Sequence, residues 1–269
     1  MRHDVRGSNG PVRTRFVRAW GFQMLRRMLA AVAVVTALFV ALVVGVKAKI
    51  IRPNEIFPPA GVRGVDVSEY QGAIDFDALS GEGIEFVYAK ATEGASYVDG
   101  QFAATCARAK GSDVALGAYH FFSFDSSGAG QAASFVAAAK ASWADPAIRT
   151  LRPAVDVEWY GDKEQNPPTA EDVRRELRAF VDGVEAACGQ KPLIYAGNDI
   201  YDRYLRGYFD DCGLWVACRK WPAWVEWPQG GWTVWQYSDV GEVAGAANEA
   251  GHVDLDVLAE GVSVDDLLV

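Results

Sequence analysis

The chain has 269 residues, half of them hydrophobic, with a formal net charge of −9, which is enough for one sizeable core. Residues 1–52 hold ten Arg/Lys and one acid, a net of +9, whereas residues 53–269 hold 16 basic and 34 acidic groups, a net of −18. An acidic body without a basic stripe argues against a nucleic-acid partner, and its net charge offers no long-range attraction to an anionic wall polymer.

Residues 1–27 form a basic tail carrying Arg2, Arg6, Arg13, Arg15, Arg18, Arg26 and Arg27. Met28 to Val46 then runs for 19 residues without a charge. As a helix it spans about 28 Å, close to a hydrocarbon core of roughly 30 Å. The larger basic cluster is expected on the cytoplasmic side and the rest of the chain outside. A cleaved signal peptide, leaving a secreted protein, is the alternative. Its apolar region usually runs ~7–15 residues, and Val46-Lys47-Ala48 is a poor small-x-small cleavage site, so an uncleaved anchor is favoured. Residues 47–61, with Pro53, Pro58 and Pro59, read as a short stiff linker. Residues 62–269 then form one folded domain.

Within that domain short apolar runs alternate with helical stretches. The predicted strands are Gly64–Val67, Phe86–Ala91, Ala115–Phe122, Pro153–Glu158, Pro192–Ala196, Leu214–Ala217, Thr233–Tyr237 and Val253–Val257. The predicted helices are Gln101–Lys110, Ala129–Ser142, Ala170–Ala187 and Asp199–Leu205, the third opening after Thr169 with Asp172 three residues on, as in a capping box. Strand–helix alternation implies an α/β fold with a parallel sheet, and about eight strands suggest closure into a barrel. Helices thin out after residue 205, so the expected architecture is an irregular, TIM-like β/α barrel behind an N-terminal transmembrane helix.

Three strands carry the same signal: Val65-Asp66-Val67, Val155-Asp156-Val157-Glu158 and Val253-Asp254-Leu255-Asp256. Side chains alternate faces along a strand, so aliphatic residues that meet the helices leave the acids facing the barrel axis. Loop-like sequence follows each triplet, which suggests one shared mouth at the C-terminal strand ends. A half-exposed sheet with its acids in water accounts for any one triplet better than for all three. Only His120 and His252 fall in this domain, with no HExxH, paired CxxC or GxSxG. His120 could line the pocket, while His252 reads as a loop residue. Carboxylates without His or Cys point to glycosidic bond cleavage. Eight of nine Trp also lie here, six of them within residues 215–235, and indole faces suit sugar rings. Trp221, Trp224 and Trp227 sit in a Pro-flanked stretch where exposure is expected.

Gly64-Val65-Asp66-Val67-Ser68, Ala89-Lys90-Ala91-Thr92-Glu93-Gly94, Gly117-Ala118-Tyr119-His120-Phe121, Asp156-Val157-Glu158, Leu193-Ile194-Tyr195, Leu214-Trp215-Val216-Ala217, Trp235-Gln236-Tyr237 and Val253-Asp254-Leu255 together resemble glycoside hydrolase family 25, the cell-wall muramidases. The resemblance runs in order from about residue 62 to 258. It implies a flattened, irregular barrel that hydrolyses the β-1,4 bond between N-acetylmuramic acid and N-acetylglucosamine in peptidoglycan with no cofactor; a monomer without a metal site is expected. It also implies Glu158 as general acid/base, Asp156 orienting or charge-stabilising the substrate's acetamido group in a substrate-assisted, retaining mechanism, with a carboxylate acting directly as nucleophile as the rival view, and Asp66 and Asp254 completing the acidic cluster. Tyr119, Tyr195, Trp215, Trp235, Gln236 and Lys90 become the expected substrate contacts. The chain departs from the family pattern at Asp256, where Asn is frequent, and at Cys218-Arg219-Lys220, where an aromatic is usual.

Cys106, Cys188, Cys212 and Cys218 would face an oxidising compartment. A Cys188–Cys212 bridge is one possibility and four small buried thiols the other. An endo-N-acetylglucosaminidase or chitinase-like hydrolase, and a non-catalytic wall-binding module, remain as alternative functions.

Overall fold

The computed structural model describes residues 12–48 and 50–269, in two compact units that divide after Ile51. Arg2 and Arg6 of the basic tail therefore lie outside the described residues. Among its described residues the first unit holds one helix, α1 (Val12–Lys47), and the Gln23–Lys47 stretch of it is long and apolar enough to cross a membrane. Val35, Leu38 and Phe39 are all about two-thirds exposed, the pattern of a helix whose whole surface suits lipid. It extends beyond the predicted Met28–Val46 at both ends because no proline interrupts it before Pro53.

The second unit begins with a helical turn, α2 (Pro53–Ile56), followed by β1 (Arg63–Val67), α3 (Phe76–Gly81), β2 (Ile84–Glu93) and β3 (Tyr97–Val98). Next come α4 (Phe102–Ala109), β4 (Ala115–Phe121), α5 (Gly128–Trp143), β5 (Ala154–Asp156), α6 (Ala170–Cys188) and β6 (Leu193–Ala196). The chain finishes with α7 (Asn198–Ile200), which runs into a π-helical turn at Tyr201–Leu205, then β7 (Leu214–Ala217), α8 (Ala223–Glu226), β8 (Val234–Gly241) and β9 (Val253–Leu258). All eight predicted strands form, and β1 also pairs with β2, so the order β1-β9-β8-β7-β6-β5-β4-β2 closes on itself. The short β3 pairs only with β2. The expected irregular eight-stranded barrel with few late helices is the observed one.

One feature corrects the parallel reading. Every strand in the barrel runs parallel to its neighbours except β9, which is antiparallel to both β8 and β1. A parallel return needs a crossover of a dozen or more residues, usually helical. Residues 242–252 hold no helix, so the chain turns back instead.

Three apolar layers result. Outside β2 to β6, alternate strand residues such as Val87, Leu116 and Val155 pack on α3 to α6. Helix α6 buries Val173, Leu177, Phe180, Val181 and Val184, the i, i+4, i+7, i+8, i+11 face of a 3.6-residue period. Thr169 caps it by accepting from the Asp172 backbone N–H at 3.2 Å and donating to the Asp172 carboxylate at 2.6 Å. The predicted cap is present, with the reciprocal bond made between side chains. Inside the barrel, Phe86, Tyr88, Leu193, Trp215 and Val234 fill the lower half together with Val264 and Leu267 of the C-terminal segment. Gly64 and Gly117 make room for them: a Cβ on either would lie 2.2 Å from the ring of Phe86 or Tyr88. The third layer, outside β7 to β9, contains Val216, Cys218, Ala223, Trp227, Trp235, Tyr237 and Val257.

Several local expectations change. Part of the predicted linker is folded, because α2 packs on β8 with Asn54 only 1% exposed. Trp227 is buried at 1% exposure while Trp224 is 77% exposed, so the aromatic stretch splits between core and surface. The four cysteines are free thiols, three buried and Cys188 half-buried. The Cys188–Cys212 bridge does not form.

Candidate active site

Strand parity aims Asp66 of β1, Asp156 of β5 and Asp254 of β9 into the barrel, because their neighbours Val65, Val155, Val157 and Val253 join the outer layer. Asp66 and Asp254 are direct partners across the β1–β9 pair. Since β9 runs backwards, its N-terminal end lies beside the C-terminal ends of the parallel strands. Asp254 therefore stands at the mouth, and Asp256 one pleat deeper at 0% exposure.

Asp66, Asp156 and Asp254 line a cavity of about 240 Å3, and Asp256 lies outside its wall. All four predicted acids, Asp66, Asp156, Glu158 and Asp254, are in its wall, and so are Tyr119, Tyr195, Trp215, Gln236 and Lys90. Two predicted residues are placed elsewhere. Trp235 lies in the outer layer of β8, where its Nε1 donates to the Cys218 carbonyl at 2.8 Å. Adjacent strand residues face opposite sides, so with Gln236 inside, Trp235 must be outside. His120, next to Tyr119, is turned outward for the same reason. It is fully buried between Thr92 and Gln131, 2.7 and 3.0 Å from its ring nitrogens, and stacked on Phe180. Burial lowers its pKa to about 4, which keeps it neutral.

Ser68, Tyr70, Phe121 and Arg219 also line the cavity. Arg219 is the most informative of these. It lies two residues beyond β7, in the Cys218-Arg219-Lys220 stretch where the sequence departs from the family pattern, and a cation just past a barrel strand is the available signal. His252 lines an adjoining cavity with Asp254.

A hydrogen-bond chain fixes the floor. Tyr195 donates to Gln236 Oε1 at 2.8 Å, and Gln236 Nε2 donates to Asp66 Oδ2 at 2.7 Å. Trp215 Nε1 donates to Asp256 Oδ1 at 2.8 Å. Burial holds Asp66 and Asp256 well above the usual carboxylate range, helped by the charge of Asp256 in the first case and of Asp254 in the second. A proton kept on Asp66 can serve Asp256, where an Asn would have brought its own donor.

Higher in the cavity, burial raises Asp254 to about 8, with the charge of Asp66 adding to the effect. Asp156 is pushed well above its ordinary value, first by burial and then by Glu158 and Asp66, and its Oδ1 is buried without a hydrogen-bond partner. Burial raises Glu158 too, opposed by the cations Arg219 and Lys90. Lys90 is 2.6 Å from Glu93 and 4.9 Å above the Phe121 ring. The arrangement is a set of carboxyl groups of which some must stay protonated at neutral pH, in reach of two cations.

The central cavity is not isolated. Glu158, Tyr195 and Arg219 are shared with a neighbouring cavity of about 360 Å3. Asp66, Tyr70, Tyr119 and Asp254 are shared with another, of about 190 Å3, on a different side. Together they form a groove with the acids in its middle, the shape that a linear polymer requires.

The family model described as Glycosyl hydrolases family 25 matches residues 65–246. "Uncharacterized protein YegX" of Escherichia coli (strain K12) is 32% identical over 202 residues, 73% of this chain and 69% of that protein. Lysozyme M1 of Streptomyces globisporus is 30% identical over 205 residues, 71% of this chain and 66% of its own length. Among solved structures, a family 25 glycosyl hydrolase from Bacillus anthracis superposes with a TM-score of 0.67 at 34% identity, covering 76% of this chain and 91% of that one. The bacterial lysozyme from Streptomyces coelicolor gives 0.63 at 27% identity, covering 77% and 95%.

Proposed function

We propose that this chain, which belongs to glycosyl hydrolase family 25, cuts peptidoglycan glycan strands with Glu158 as general acid/base and Asp156 as its partner. It is a peptidoglycan-cleaving muramidase, so the bond broken is the β-1,4 link from N-acetylmuramic acid to N-acetylglucosamine. The observation that carries the residue assignment is the meeting of Asp156 and Glu158 with Asp66 and Asp254 in the wall of one cavity.

Glu158 is raised by burial and holds a proton to give to the departing glycosidic oxygen. The partnerless Oδ1 of Asp156 accepts the N–H of the muramic acid acetamido group. That bond stabilises the charged form of Asp156 and leaves the proton of the coupled pair on Glu158. The acetamido carbonyl oxygen then attacks the anomeric carbon as the leaving oxygen takes the Glu158 proton, and Glu158 afterwards draws a proton from the water that opens the intermediate. Anomeric configuration is retained. Asp66, held by Gln236, and Asp254 at the rim bind sugar hydroxyls.

The Gln23–Lys47 stretch serves as a membrane anchor with the basic tail inside and the barrel outside. N-terminal sequencing of the mature protein tests this, and a start beyond Lys47 would overturn it.

Digestion of purified peptidoglycan tests the bond: new reducing ends should be muramic acid, and N-acetylglucosamine ends would sink the assignment. Glu158→Gln should lower the lysis rate by at least ~100-fold with an unchanged far-UV circular dichroism spectrum. Parental lysis by this variant would overturn the mechanism.

A further inference from the structure

The folded unit begins before the residues matched by the family model. Helical turn α2 contributes Asn54, whose two Nδ2 hydrogens are shared among the carbonyls of Cys218 at 3.0 Å, Tyr237 at 3.1 Å and Trp221 at 3.3 Å. Its neighbours reinforce the contact. Glu55 accepts from Ser238 Oγ at 2.9 Å, and Arg52 lies 2.8 Å from Asp239. Two of the carbonyls held by Asn54 flank a single short stretch, Arg219-Lys220. The Cys218 carbonyl also accepts Trp235 Nε1 at 2.8 Å, and the Cys218 N–H donates to the Gln236 carbonyl at 3.2 Å. The loop is thus fixed at the two residues on either side of the cation that enters the groove.

We propose that Asn54 is a positioning residue for the reaction: by clamping the backbone on both sides of Arg219, it keeps that side chain in the wall of the cavity that holds the carboxylates. The clamp rests on the reading of Glu158 as the acid. Arg219 reaches the groove from a loop, so its place is set by loop backbone and not by a strand. It shares walls with Glu158 in both the central cavity and the neighbouring one. Glu158 shares the central cavity with the acids Asp156, Asp66 and Asp254, the phenols Tyr70, Tyr119 and Tyr195 and the cations Lys90 and Arg219, and the neighbouring one with Asp199, Lys220 and Glu226. Arg219 is the stronger of the two cations in opposing the rise of the Glu158 pKa. Asp239 also attracts Arg219, and the Arg52–Asp239 pair weakens that competing pull. The segment that joins the barrel to the preceding helix is therefore part of what tunes the acid.

The sign follows from simple electrostatics. A nearby cation stabilises a carboxylate and lowers its pKa. Moving it away raises the Glu158 pKa, keeps the acid protonated to higher pH, and carries the alkaline limb of the rate profile upward. The test measures kcat/KM against pH on purified glycan strands with the full-length protein. Arg219→Gln should move the alkaline limb up by about 0.5–1 pH unit. Asn54→Leu should move it in the same direction, and the double variant should move no further than Arg219→Gln alone, because both act on one element. If Asn54→Leu fails to fold, Asn54→Ser, which keeps one short donor, is read in the same way. A lowered Tm for the Asn54 variant with a profile superimposable on the parent's would overturn the clamp, as would fully additive displacements in the double variant. Parental lysis by Glu158→Gln would instead overturn the acid assignment beneath it.

Discussion

The barrel wall is sealed in two different ways. Behind β2 to β6 it is covered by α3 to α6, and the seal is a broad apolar layer in which Leu177, Phe180 and Val184 are fully buried. Behind β7 to β9 no long helix is present. There the cover is a small aromatic cluster pinned by hydrogen bonds to backbone carbonyls: Trp235 to Cys218, Trp227 to Gly230, and Asn54 to three acceptors. The first design spreads stability over many weak contacts. The second concentrates it in a few directional ones. The second flank also carries Trp215, Arg219, Gln236 and Asp254 to the groove, so damage to its cover reaches the chemistry, whereas damage to the helical flank costs mainly stability.

Substitutions on the two sides should separate these effects. Phe180→Ala, in the helical flank, should cost roughly 3–5 kcal/mol, read as a large fall in Tm, with the alkaline limb of kcat/KM unmoved at temperatures where the protein stays folded. A displaced limb would mean that the helical layer also tunes the acid. Trp235→Phe keeps most of the ring but deletes the bond to Cys218. It should cost about 1–2 kcal/mol and, unlike Phe180→Ala, carry the alkaline limb upward through the Arg219 loop. Thr169→Ala removes the α6 cap for about 1 kcal/mol, a small Tm change with catalysis untouched. If Trp235→Phe behaves like Thr169→Ala, with stability lost and the pH profile kept, the two flanks do not differ in the way described.

Much of this architecture was legible in the sequence because aliphatic residues alternate with acids in β1, β5 and β9, the three strands that bring carboxylates to the groove. The same period of two explains the errors. Alternation reads identically in either direction, so Val253–Leu258 revealed which side chains point inward but not that the strand is reversed. Trp235 and Gln236 could not both face the groove, nor could Tyr119 and His120, and parity applied to each pair would have sent Trp235 and His120 outward. Arg219 and Asn54 had no such periodicity. One is a loop charge, the other sits among prolines that suggest a linker, and their importance arises only from contacts between stretches far apart in the chain.

The reversed closing strand has a consequence for biogenesis. Asp66 is made early and Asp254 near the end, and they become neighbours only when β9 wedges between β8 and β1. Pairing over so long a separation is a slow step in folding. A fragment clipped before β9 keeps Asp66, Asp156 and Glu158 but lacks Asp254 and the strand that closes the barrel. Lytic competence therefore waits on β9, and a fragment that stops short of this strand should release no reducing ends from peptidoglycan.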